Sequence, residues 1–84
     1  MAGRDLYAEA RDLAHRLEME GWPDWAMKFE EAITSGFTAT EILMALRWQG
    51  QLLNAEGLPL TAGTASVLEN LVSGISEVLE PRRL

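Results

Sequence analysis

Glycine and proline recur along this chain at Gly21 and Pro23, at Gly36, at Gly57 and Pro59, and at Pro81. Each is a signal for stopping or starting a helix, and together they leave four stretches of helical length. Apolar residues recur at spacings of three and four in every one, the period of an amphipathic helix. In the first, about residues 4–20, Leu6, Ala10, Leu13, Ala14 and Leu17 share a face, and Asp12 and Arg16 stand four apart in the favourable acid-first order. The second, about 23–35, places Trp25, Phe29, Ala32 and Ile33 together with Ala26 beside them, and puts Asp24 in the first turn, where a carboxylate suits the helix dipole.

The third stretch, about 39–55, opens on Thr38-Ala-Thr-Glu41, a capping box that marks a helix start. Ile42, Leu43, Leu46, Gln49, Gly50 and Leu53 form one face, and Met44, Ala45, Trp48 and Leu52 form a second apolar face. A helix apolar on two sides is either central in its domain or part of an interface. The fourth, about 61–80, carries a stripe of Val67, Leu68, Leu71, Val72, Ile75, Val78 and Leu79, opposed by Ser66, Glu69, Asn70, Ser73, Ser76, Glu77 and Glu80. Gly63 and Gly74 either weaken this helix or admit a close neighbour. Pro81 to Leu84 reads as a frayed tail.

No period-two alternation and no Asn-Gly or Asp-Gly hairpin competes with these helices. The expectation is an all-α fold, a compact bundle of about four antiparallel helices forming a single domain over 1–84. A chain of 84 residues needs an efficient core, and a hydrophobic content of 48% supplies one.

Charge and composition then narrow the function. The absence of cysteine excludes disulfide stapling, Cys-ligated zinc and thiol nucleophiles. A net charge of -6 argues against binding nucleic acid, which needs a basic footprint. The N-terminus has no apolar run of about 7–15 residues as a secretory signal would, and Ile42 to Leu46 falls far short of the roughly 18 apolar residues of a membrane span. A cytoplasmic protein with no membrane partner is expected.

Catalysis finds little to work with. His15 is the only imidazole and has no second His or Cys to join it, so it reads as an exposed helix residue. The serines lack a nucleophile elbow, and the glycines form no phosphate loop. Glu18, Glu20, Glu30 and Glu31 fall away from the apolar faces and read as solvated charges rather than an acid/base pair, and no Glu-x-x-His motif exists for a di-iron site. No enzyme activity, cofactor or metal is expected.

Recognition of another protein is better supported. Five carboxylates stand against Lys28 between Glu18 and Glu31, and from Trp48 through Pro81 there are four carboxylates and no Lys or Arg. Such surfaces steer toward basic partners, although acidity also serves plain solubility. Of three tryptophans, Trp25 fits the core and Trp22 the junction before Pro23, whereas Trp48 joins Met44 on the second face of the third helix beside Arg47. Met27 projects outward between Asp24 and Glu31. The expected partner-binding residues are therefore Asp24, Met27, Glu31, Met44, Arg47 and Trp48. A fourth helix laid over Met44 and Trp48 would make them ordinary core instead, and a homodimer burying the same face is the competing interface.

The stretch Glu20-Gly-Trp-Pro-Asp-Trp-Ala26, followed by Thr38-Ala-Thr-Glu-Ile-Leu-Met-Ala-Leu-Arg-Trp48, resembles small acidic all-α immunity proteins of bacterial polymorphic toxin systems. The resemblance covers about the middle half of the chain and rests on a pattern of helices and tryptophans. It implies a cytoplasmic inhibitor that binds one cognate toxin domain and blocks it, with no catalytic residues and no cofactor. Contact residues differ between such systems, so it assigns none here. Two outcomes follow from the residues alone: a gel-shift assay at micromolar protein and physiological salt should detect no DNA or RNA complex, and His15→Ala should leave function intact.

Overall fold

The computed structural model describes residues 4–81, and the N-terminal 1–3 and the tail residues Arg82 to Leu84 lie outside them. Four helices and no strand are found among the described residues: α1 Leu6–Met19, α2 Pro23–Ser35, α3 Ala39–Glu56 and α4 Ala62–Leu79.

Local chemistry sets each boundary. α1 starts at Leu6 rather than at residue 4 because Asp5 caps it, its carboxylate accepting from the Ala8 amide at 3.0 Å. Its far end closes as a Schellman turn: Gly21 at φ +90° donates its N–H to Glu18 O at 3.1 Å, and the Trp22 N–H donates to Leu17 O at 2.8 Å. Only glycine enters that left-handed conformation without strain. α2 then begins on Pro23, whose missing N–H costs nothing at the first helical position.

α3 carries the expected cap. The Thr38 hydroxyl accepts from the Glu41 amide at 3.1 Å. The Glu41 carboxylate reaches back to the Thr38 hydroxyl, at 3.0 Å, rather than to the Thr38 amide of the usual capping box. α4 starts one residue after Thr61 for the same reason, Thr61 Oγ1 accepting from the Thr64 amide at 3.4 Å.

The helices pack in a closed ring: α1 against α2, α2 against α3, α3 against α4, and α4 back against α1. Inside lie Leu13 and Leu17 of α1, Phe29 of α2, Leu46 and Leu53 of α3, and Leu71 and Ile75 of α4, all fully buried. Asp12 and Arg16 form the expected ion pair at 3.0 Å.

Two glycines show why α4 fits so closely. A β-carbon on Gly50 of α3 would come within 2.6 Å of Val72 Cγ2, so the bare backbone lets the two helices approach. On the other side, the Arg4 guanidinium lies over Gly74, where a β-carbon would stand 2.6 Å from one of its nitrogens. Arg4 also bonds Glu9 at 2.6 and 3.0 Å and donates to Asn70 O at 3.1 Å, strapping the start of α1 to α4. Gly74 therefore serves close approach, one of the two readings its position allowed.

The stripe of α4 needs correcting at two places. Val78 is 57% exposed although it shares the face of Leu71 and Ile75, because it lies in the last turn of α4, on an open hollow beside Asp5, Leu6, Tyr7 and Leu43. Thr64, absent from the apolar pattern, is fully buried and extends the buried edge by one turn. Trp25 is half-buried rather than core, packed on the core edge with the Lys28 ammonium 4.2 Å above its ring.

Truncation tests this edge directly. Leu71→Ala should lower unfolding free energy by about 2–5 kcal/mol in a urea melt. Val78→Ala should change it by no more than about 0.5 kcal/mol, the usual range for an exposed position.

Candidate functional site

The face of α3 opposite its buried edge remains open. Met44, Trp48 and Leu52 follow one another there at intervals of one turn, 53%, 60% and 39% exposed. α4 packs on the Gly50 side of α3, so it does not cover them. From Trp48 through Ala55 the helix carries no charged residue on any side, and its exposed positions also include Gln51, Asn54 and Ala55. Interface cores are depleted of charge in this way, whereas an ordinary solvent face of a helix is not.

Arg47 departs from the shared outward side expected for it. Its side chain turns toward α4 and is only 22% exposed, with Nη1 3.0 Å from Glu80 Oε1 at the end of that helix. It borders the stripe from the α4 side, with its charge engaged within the chain. Asp24, Met27 and Glu31 lie on the outward face of α2, all exposed, Met27 at 58%. α2 and α3 are neighbours in the ring, yet among the described residues no hydrogen bond or ion pair joins the two sets. The structure places Met44 and Trp48 on the open face of α3, and Asp24, Met27 and Glu31 on the exposed face of α2.

Two features escape the sequence. Phe37, in the connection from α2 to α3, is almost fully exposed. An open groove of about 550 Å³ lies between α3 and α4, lined on the α3 side by Gly50, Gln51, Leu53 and Asn54, and Gln51 is the one of these nearest the stripe around the helix. No periodic signal marks the groove: Val72 and Leu68 already occupy the space beside Gly50, and the hollow opens around it between α3, α4 and the connection that joins them.

Glu20 needs correction. Rather than a free solvated charge, its carboxylate accepts from the Thr61 amide and the Thr61 hydroxyl, each at 3.0 Å, and from the buried Thr64 hydroxyl. The Thr64 hydroxyl, then the Thr61 amide, with Arg16 adding a small attraction, hold this carboxyl below its ordinary value. A general acid requires the opposite shift. His15 is exposed on α1, and no group of three or more His, Asp or Glu side chains placed to hold a metal occurs among the described residues. Nor is any helix there long and apolar enough to cross a membrane.

No family model, curated protein or solved structure matches the chain.

The Glu20 network has a definite pH signature. A carboxyl held low in the folded state stabilises it fully above the unfolded value, near 4.5, and that contribution is lost as pH falls through the lower folded value. Glu20→Gln should therefore melt below the parent protein at pH 7, and the difference should shrink progressively under acid below about pH 4.5. Parallel thermal melts from pH 7 to pH 3 measure it; a gap that does not narrow would count against the charged carboxylate as the stabilising form.

Proposed function

We propose that this protein is a non-catalytic protein-binding module of the bacterial immunity type, which occludes a cognate toxin domain one-to-one in the cytoplasm. The observation that carries this reading is the exposed, charge-free line of Met44, Trp48 and Leu52 on α3. Large apolar side chains left in water one turn apart are ready anchors, and tryptophan is among the residues that dominate interface energy. Around them the chain is acidic: the net charge is -6, and Asp24 and Glu31 flank Met27 on the neighbouring helix. A basic toxin cleft built for an anionic substrate would be drawn to that surface, and Trp48 would hold it. Arg47, held by Glu80, borders the contact and keeps α3 seated on α4.

The competing reading is a homodimer through the same stripe, since a line of apolar residues along one helix suits pairing with its own copy. Sedimentation at micromolar concentration separates the two. A monomer leaves the stripe for another partner, whereas a doubled mass that Trp48→Ala returns to single overturns the immunity reading.

Co-production with its cognate toxin domain, to be sought among the reading frames adjoining its gene, should restore growth of cells that the toxin arrests. Trp48→Ala should weaken that complex by about 2 kcal/mol, roughly 30-fold in Kd, with an unchanged melting temperature because the ring is already solvated. Asp24→Lys with Glu31→Lys should mainly slow association and flatten its salt dependence. Unchanged affinity in Trp48→Ala would show that the site lies elsewhere.

A further inference from the structure

The groove between α3 and α4 has a shape and a charge that select an occupant. Leu58 and Leu60 from the interhelical connection close one end, Leu68 and Val72 of α4 line the floor, and Asn54 and Glu69 stand at opposite rims. Along α4 its lining runs from Ala65 to Ser73, about 12 Å at 1.5 Å per residue. That is two turns of a helix, enough for two or three apolar side chains spaced at i, i+4 and i+7.

Electrostatics decides what accompanies those side chains. The segment from Trp48 through Pro81 contributes four carboxylates and no Lys or Arg, and Glu80 is engaged by Arg47. Glu56 at the end of α3 and Glu69 on the rim are both exposed and enter no ion pair among the described residues. A second copy of the chain would bring another net charge of -6 and, from this seam, only Arg47, which Glu80 already engages. Nucleic acid and anionic lipid are repelled for the same reason.

We infer that the α3–α4 groove docks an amphipathic helix of a partner protein, apolar side chains filling it while Lys or Arg on its flank faces Glu69. The inference rests on the protein-binding reading above but not on the partner being a toxin. It gives the partner two contacts on neighbouring faces of α3, since exposed Gln51 lies between the groove and the Trp48 stripe.

The test is a titration of the isotopically labelled full chain, followed by amide NMR, with three synthetic peptides. One carries Leu on one helical face and Lys on the other, the second replaces Lys with Glu, and the third replaces Leu with Ser. Only the Leu/Lys peptide should produce saturating shifts, centred on Gly50, Asn54, Gly57, Glu69 and Ser73. Glu69→Lys should weaken its binding about threefold, an exposed-pair effect that fades at high salt. Ser73→Trp, at an exposed position, should fill the groove and abolish the shifts with the fold intact. Equal binding of the Glu peptide, shifts confined to Met44, Trp48 and Leu52, or peptide-free shifts that grow with protein concentration would each overturn the inference. Failed toxin neutralisation with retained groove binding overturns the immunity reading alone. Neutralisation that survives Ser73→Trp while the groove stays silent overturns this inference alone.

Discussion

A ring of four helices closes only when the last is fixed to the first, and one carboxylate makes much of that joint. α4 has no acidic residue in its own first turn, so its exposed amides and the positive end of its dipole lack a local partner charge. Glu20 supplies it from the end of α1, bonding the Thr61 amide and both threonine hydroxyls. The Schellman turn at Gly21 holds Glu20 in position, and Thr64 can be fully buried because its hydroxyl has that partner. At the other end Arg4 lies across Gly74, and Arg47 meets Glu80. With both ends pinned, α4 settles against Gly50 and cannot shift over Trp48. The exposed stripe is thus a consequence of where α4 is anchored.

The helices were legible because their signals are local. Asp5, Thr38 and Thr61 cap from within a few residues, Gly21 and Gly57 stop from within one, and the three-four period needs only a single turn to register. Contacts across the ring carry no such signal. Glu20 and Thr64 are 44 positions apart, and Arg4 and Asn70 are 66 apart, so nothing in either neighbourhood announces the other. Val78 misled for a related reason. It continues the apolar face of Leu71 and Ile75, but how far along a helix that face stays covered depends on where the neighbouring helices end, and Val78 falls in the last turn of α4 beside an open hollow.

The candidate surface shows the same division. That α3 had two apolar faces followed from its residues, but whether Met44 and Trp48 were core or surface depended on the position of α4. Arg47 was legible as lying near Trp48, yet its turn toward Glu80 involves a residue 33 positions away. The groove was harder still, because it is bounded by a connection, Gly57 to Leu60, whose path no periodicity describes.

The distribution of charge bears on how such a surface works. Exposed ion pairs contribute about 0–1 kcal/mol each, so Asp24 and Glu31 can alter the rate of encounter but cannot hold a partner for long. A tryptophan driven into a complementary hollow contributes about 2 kcal/mol or more, and that acts on the dissociation rate. This chain keeps the two on separate helices: carboxylates crowd the outward face of α2, while α3 is uncharged from Trp48 to Ala55. The separation avoids a desolvation penalty, since a carboxylate placed among Met44, Trp48 and Leu52 would be stripped of water whenever a partner docked. Leaving three large apolar side chains in solvent contributes nothing to the fold of so small a domain, whose core is complete without them. Their place on α3, a helix packed against both α2 and α4, has a further effect: the anchors' backbone is already ordered before a partner arrives, so association loses less conformational entropy than it would on a mobile segment.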